Sequence, residues 1–220
     1  MLCLKKIFNS IAPVIKYVIL SYLLTFISFF VYIGLGGSDA NYFVINYATY
    51  ILTIFNIVYL IYLFKKNRIL CKKTKPIFPF VMLGIAISSF ANMIIFKCNS
   101  HESINFNIYF LIISSVIVGP FVEEIIYRHL LVNKLIKFNN RILTILIASF
   151  IFAISHNGLT NIIYTFFLGI ILNVIYLKNK NILYPLLVHS SANLIALLLQ
   201  DFNPHILTLS FISINNLSLQ

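Results

Sequence analysis

The sequence predicts an all-α protein, a polytopic transmembrane bundle of about seven helices, on three observations. Of its 220 residues 60% are hydrophobic and only 10% are charged, with a mean hydropathy of +0.97. Soluble globular domains run at roughly 45–50% apolar and about 25% charged. The apolar residues fall in runs of about twenty, the length that crosses a hydrocarbon core as a helix. The lysines and arginines gather in short clusters between those runs, as topology signals do.

The first run, 17–35, follows Lys5 and Lys6. Ser38-Asp39-Ala40 beyond it loosely resembles a signal-peptidase site, but the run exceeds the roughly 7–15 residues of a signal core, so an uncleaved first helix is expected. A Gly-Gly-Ser-Asp turn leads to a second span over 42–64, then to a basic loop with Lys65, Lys66, Arg68, Lys72, Lys73 and Lys75. The third span, 77–96, opens beside Pro76 and Pro79, where proline suits a helix start. A polar loop over 97–107 holds His101 and Glu102. The fourth span, 108–137, is too long for a straight crossing at about 1.5 Å per residue, and Gly119-Pro120 is expected to kink it. A fifth span runs from Arg141 to about His156, a sixth over 161–177, and a seventh over 182–199. The apolar tail 204–219 is either an eighth span or an interfacial segment.

With the N-terminus in the cytoplasm, alternate loops hold nearly all sixteen basic residues. Only Lys97 falls outside, and Arg128 lies within a span. This bias predicts a multi-pass cell-membrane protein with its N-terminus inside. It also excludes nucleic acid as the partner of the +11 net charge, because the cations mark loops rather than a continuous patch. The partner they imply is the lipid bilayer. Cys3, Cys71 and Cys98 match no metal or disulfide pattern.

Against this background, two carboxylates stand out. The chain has only five acidic residues, and Glu123 and Glu124 sit side by side within the fourth span. Ionisable groups at membrane depth cost a few kcal/mol each even on lenient scales, so they mark function by default. On a helix Glu124 and Arg128 are i,i+4 neighbours in the favourable order. Glu123, about 100° away, faces something else. One carboxylate is thus assigned to a structural ion pair and the other to proton transfer or ligation. The bland alternative, a buried pair plus a spare protonated Glu, leaves Glu123 without a purpose.

Of the five histidines, His101 and His205 occupy loop-like surroundings, and His129 suits a packing or interfacial role. His156 ends the fifth apolar run, with Phe152 one turn earlier on the same face. His189 is mid-span, with Asn193 one turn later. Two histidines, a carboxylate and an amide on three separate spans each need a buried partner.

These residues carry a resemblance. Glu123-Glu124-x-x-x-Arg128, Phe152-x-x-x-His156 and His189-x-x-x-Asn193, in that order, resemble the three motifs of the CPBP family, the CAAX-protease and bacteriocin-processing intramembrane endopeptidases, also called the Abi family. The likeness covers about 118–197. His129 departs from the glycine that many members carry there. Residues 1–107 resemble no named family; on this basis they supply three N-terminal helices, 108–200 the catalytic helices, and 201–220 the tail.

The resemblance implies that Glu123 activates water with His156, that Glu124 and Arg128 brace their helix, and that His189 and Asn193 complete a metal set or stabilise an oxyanion. Two mechanisms stay open. Glu123, His156 and His189 match the ligand set of a hydrolytic zinc site with an open water position. Alternatively, Glu123 is a general base while His189 and Asn193 donate to the oxyanion. The implied substrate is a small peptide or a membrane protein, in bacteriocin processing or self-immunity. Two rivals remain: a non-catalytic immunity or regulatory protein on the same scaffold, and a proton-coupled carrier, which the absence of visible repeats disfavours. The substrate, its cleavage site and the oligomeric state are not written in the sequence.

Overall fold

A computed structural model describes residues 2–37, 48–67, 69, 75–95, 110, 112–156 and 158–201, and every regular element among them is helical. In chain order these are α1 (Leu2–Gly34), α2 (Thr49–Lys66), α3 (Phe78–Ile95), a segmented central helix, α4 (Arg141–Ile154), α5 (Leu159–Asn179) and α6 (Leu183–Asp201). The Ser38-Asp39-Ala40 turn, the loop with His101 and Glu102, most of the basic loop, His205 and the tail 204–219 lie outside the described residues.

Two described helices are long and apolar enough to cross a membrane, Phe8–Gly34 and Leu159–Asn179. Phe78–Met93, Arg141–Ile154 and Leu183–Leu199 are shorter apolar helices. The surface bears out the membrane assignment. Phe26 on α1, Ile54 on α2, Ile142 on α4 and Phe167 on α5 are each more than 60% exposed. Apolar faces this extensive are unfavourable in water and suited to lipid.

The chain falls into two compact units, Met1–Ile69 with Phe106–Phe138 and Leu70–Asn105 with Asn139–Gln220. Each draws on both halves of the sequence.

In the first unit, α1 and α2 pack on each other and both pack on the central helix. Between α1 and α2 the Tyr17 hydroxyl donates to Asn56 Oδ1 at 2.9 Å. The Tyr17 ring lies over Phe55 and Tyr59, with centroids 6.1 and 5.4 Å away. Phe64 meets Phe121 of the central helix at 5.5 Å. The end of α1 is closed by two backbone bonds, Gly36 N–H to Ile33 O (2.9 Å) and Gly37 N–H to Tyr32 O (3.0 Å). This is the Schellman arrangement, and Gly36 at φ +88° supplies the left-handed residue it needs.

In the second unit, Leu168, Leu172, Ile175, Tyr184 and Val188 form a core cluster, flanked by Phe80 and Ile87 of α3. Two glycines set the helix separations. At Gly84 of α3 an added Cβ would run into the Val188 carbonyl and the Ser191 hydroxyl of α6. At Gly169 of α5 it would meet Phe152 Cδ1 and Ser149 Cα of α4, both at 3.2 Å. Beside Gly169, Asn173 Nδ2 donates to Ser149 Oγ at 2.9 Å, which gives two buried polar groups a shared bond. The helix ends are capped locally. Asn140 Oδ1 accepts from Leu143 N–H at 2.8 Å to open α4. Lys180, at φ 51°, closes α5 in the left-handed conformation, its N–H on Tyr176 O at 2.7 Å.

Candidate active site

The central helix is not a uniform α-helix. It runs as a π-helical stretch Ile112–Val118, an α-helical turn Gly119–Glu123, a second π-helical stretch Glu124–Val132 and a short α-helical end Asn133–Leu135. π-Helix is rare and recurs at functional sites. Its local cause is legible. Pro120 has no N–H to give and its ring crowds the preceding turn. A wider i→i+5 turn upstream relieves that crowding without breaking the chain. The irregularity expected at Gly119-Pro120 therefore takes the form of a change in hydrogen-bond register, and the two carboxylates sit at the junction with the second π stretch.

Glu124 and Arg128 are both fully buried, and Arg128 Nε lies 3.2 Å from Glu124 Oε2. The neighbours Ile125, Ile126 and Leu131 are equally inaccessible, so the pair sits in an apolar shell where each charge requires the other. Glu123 differs from Glu124 by one position and by environment: it is half-buried. Tyr127, one turn on from Glu123, is buried, and its ring centre is 6.0 Å from the Arg128 guanidinium carbon. His129 is half-buried, and its backbone carbonyl accepts from Asn133 Nδ2 at 2.8 Å.

The imidazoles belong to the second unit. His156 follows the last turn of α4, which Ser155 ends by donating its hydroxyl to Phe152 O at 2.7 Å. His156 N–H reaches back to Ala153 O at 3.0 Å. Its ring Nδ1 lies 2.8 Å from Phe152 O. A carbonyl can only accept, so Nδ1 carries the proton and Nε2 carries the lone pair when the ring is neutral. Such a bond to the backbone fixes tautomer and ring orientation together.

His189 is buried in the second turn of α6. Phe152 relates the two histidines. Its ring meets His156 edge-on with centroids 4.8 Å apart, and His189 at 5.8 Å with an interplanar angle of 89°. The face shared by Phe152 and His156 in the sequence is thus a ring contact, and the same ring also braces the histidine of another helix. Asn193, half-buried, follows one turn after His189 on α6.

Glu123, His156 and His189 were the candidate zinc ligands. Among the described residues, no three His, Cys, Asp or Glu side chains converge as a metal site.

Two polar residues of the first unit, bonded to each other, escaped the motif analysis. Tyr17 and Asn56 lie on the first two helices, 39 positions apart. Their only sequence signal is polarity inside apolar runs.

Comparison with known proteins bears on one part of the chain. Residues 105–195 match the family described as Rce1-like, the type II CAAX prenyl endopeptidases. The chain is 32% identical over 97 residues to the membrane-embedded CAAX protease MroQ of Staphylococcus aureus (strain USA300), a match covering 41% of this chain and 39% of the relative. It is 33% identical over 90 residues to a protein described as a membrane peptidase, YdiL, of Bacillus subtilis (strain 168), covering 41% of this chain and 37% of the relative. The chain thus spans well under half the length of either curated relative. No solved structure matches it. The family resemblance carried by the three motifs holds over this segment, which contains Glu123, Glu124, Arg128, His156, His189 and Asn193.

Proposed function

We propose, from the Rce1-like CAAX-protease match over residues 105–195, that this chain is an intramembrane endopeptidase in which Glu123 is the general base. The observation that carries the proposal is the unlike fate of adjacent carboxylates. Glu124 is fully buried in its pair with Arg128, whereas Glu123 is only half-buried. A membrane helix that needed only the ion pair would have no use for the second acid.

In this mechanism Glu123 takes one proton from water. The water oxygen bonds to the scissile carbonyl carbon, and the carbonyl oxygen becomes an oxyanion. His189 and Asn193 donate hydrogen bonds to it, a kind of stabilisation worth about 2.7–4 kcal/mol per donor. As the oxyanion collapses, the C–N bond breaks and the proton held by Glu123 passes to the leaving amine. His156, with its proton on Nδ1, offers Nε2 as an acceptor to the same water. Glu124 and Arg128 brace the helix.

The proposed frame is a seven-span bundle with its N-terminus in the cytoplasm, residues 108–200 forming the catalytic helices. The substrate class is a small peptide or a membrane protein, in bacteriocin processing or self-immunity. The test compares secreted and membrane peptides from cells expressing wild type or Glu123→Ala at matched membrane abundance. A peptide that appears only with wild type supports the mechanism and identifies the substrate. Identical profiles with a persisting cellular phenotype would sink it in favour of a non-catalytic immunity or regulatory scaffold.

A further inference from the structure

In the second unit, α3, α4, α5 and α6 each bring one end to the same side. α4 and α5 run antiparallel, because Asn173 Nδ2 reaches Ile145 O at 3.4 Å and Ser149 Oγ at 2.9 Å. At this register Arg141, the first residue of α4, stands level with the last turn of α5, which carries Lys178. α3 and α6 run parallel, with Phe80 against Tyr184 and Gly84 against Val188. Lys75 ties their first turns to the end of α5. Its backbone N–H donates to Tyr184 Oη at 2.6 Å, and its Nζ donates to Asn179 Oδ1 at 2.5 Å. Asn179 in turn donates from Nδ2 to Ile175 O at 2.8 Å, which holds the ammonium at the helix end. Lys75, Arg141, Lys178 and Lys180 are all exposed here. The only acid among the described residues of this unit, Asp201, ends α6 on the opposite side.

Lys180 is the least expected of these cations. A basic residue in the last turn suits the helix dipole, and Lys178 already supplies one. Lys180 stands beyond that turn at φ 51°, in the left-handed region where glycine or asparagine is the usual choice. A cation there is carried against the backbone preference.

We propose that this end of the second unit binds the phosphodiester headgroup of an anionic lipid, with Arg141, Lys178 and Lys180 as its ligands and Lys75 at its edge. A guanidinium grips two phosphate oxygens at once. The Lys75 ammonium, with one of its three protons on Asn179, has two more to give. The surface beside the cations selects a lipid over a free anion. Ile142, Leu146 and Phe150 follow Arg141 at intervals of four along one face of α4, and all three are exposed. An acyl chain lies along that stripe while its headgroup meets the cations above; inorganic phosphate makes no use of it. Basic pockets at the ends of membrane helices attract anionic headgroups by the same charge complementarity.

The site stands on the second unit alone and does not depend on the proposed protease activity. Its test titrates the purified full chain, in a neutral detergent, with phosphatidylglycerol, with phosphatidylcholine of the same acyl chains and with inorganic phosphate. Bound lipid is counted by native mass spectrometry, and the thermal midpoint is followed alongside. Phosphatidylglycerol is expected to bind about tenfold more tightly than phosphatidylcholine. Lys178→Gln/Lys180→Gln should weaken it by about twentyfold, roughly fivefold for each cation removed. Lys65→Gln/Lys66→Gln, an equal loss of charge in the first unit, should leave it within about twofold of wild type on the same scale. Lys180→Gly is the sharper variant, because it also releases the left-handed backbone. Its lipid-free midpoint should stand at or above that of wild type while its affinity for phosphatidylglycerol falls about fivefold. Equal binding of the two lipids, or stabilisation by inorganic phosphate as strong as that by phosphatidylglycerol, overturns the proposal. So does an equal loss in the two double variants, which would reduce the cations to a diffuse field. A Lys180→Gly chain that binds phosphatidylglycerol as wild type does overturns it as well.

Discussion

In the unit formed by Met1–Ile69 and Phe106–Phe138, the buried polar groups include a charged pair, and an irregular backbone carries them. Among the described residues of the unit formed by Leu70–Asn105 and Asn139–Gln220 they are serines, threonines, asparagines and one histidine, carried mostly by regular α-helices. The first unit buries Glu124 and Arg128 completely, on a helix that changes hydrogen-bond register on both sides of Gly119–Glu123. The second buries Ser149, Asn173 and His189 on α4, α5 and α6, with Gly84 and Gly169 letting the helices approach. The difference teaches how each unit should fail. A buried charge depends on one partner and fails when that partner goes. A neutral side chain in a close-packed interface depends on volume and fails when atoms are added.

The largest effect is expected at the half-buried carboxylate of the first unit, Glu123. Glu123→Gln keeps the shape of the side chain and removes the proposed base, so turnover is expected to fall by about 10²–10⁴-fold with little change in thermal midpoint. Cleavage kinetics beside a melting curve check this. An equal loss of stability would mean that Glu123 is structural, like its neighbour.

Next is Arg128→Met, which strands Glu124 in an apolar shell. Loss of about 3–5 kcal/mol is expected, read from unfolding in detergent. Adding Glu124→Gln to make both members neutral should recover most of it. If the double variant is no better than the single, the arginine contributes through its volume rather than its charge.

Gly84→Ala probes the other mode of failure. The new Cβ collides with the Val188 carbonyl and the Ser191 hydroxyl, and overpacking of this kind costs about 1–3 kcal/mol. Because the Val188 carbonyl is backbone and stays in the way, Gly84→Ala/Ser191→Ala should regain only a minor part. Full recovery would show that the side chain alone set the α3–α6 distance.

The smallest effects belong to the α4–α5 contact. Ser149→Ala removes the nearer of two acceptors of Asn173 Nδ2, leaving the Ile145 carbonyl at 3.4 Å, and should cost about 1 kcal/mol. Gly169→Ala brings contacts at 3.2–3.3 Å, an overlap that the helix propensity gained, about 1 kcal/mol, offsets. A near-neutral midpoint is expected there, in contrast to Gly84. Equal losses at the two glycines would erase the distinction between a tight and an absolute approach.

Much of the helical layout was legible because the apolar runs and their breakers are local. The third span was expected over 77–96 and α3 runs Phe78–Ile95; the seventh was expected over 182–199 and α6 runs Leu183–Asp201. The second was expected from residue 42, whereas α2 is described from Thr49, residues 42–47 lying outside the described set. The i,i+4 pairing of Glu124 with Arg128 was legible for the same reason, since both partners sit on one helix. Phe152 and His156 were placed on one face by their spacing, and they touch.

Other features had no local signal. Gly119-Pro120 announced an irregularity, but not that it would appear as π-helix on both sides, because hydrogen-bond register depends on what packs against the turn. The second contact of the Phe152 ring, with His189 on another helix, was not visible. Nor was the bond between Tyr17 and Asn56, whose partners stand 39 residues apart. By itself the sequence determined the helices, the apolar faces, the ion pair and the three motifs, all of which follow from spacing along a chain of known pitch. Only the tertiary structure decided which ring stands between the histidines, which glycine permits which approach, and which tyrosine bonds Asn56. Each of those depends on two helices meeting, and the meeting is set by the packing of all their side chains together rather than by the period of either one.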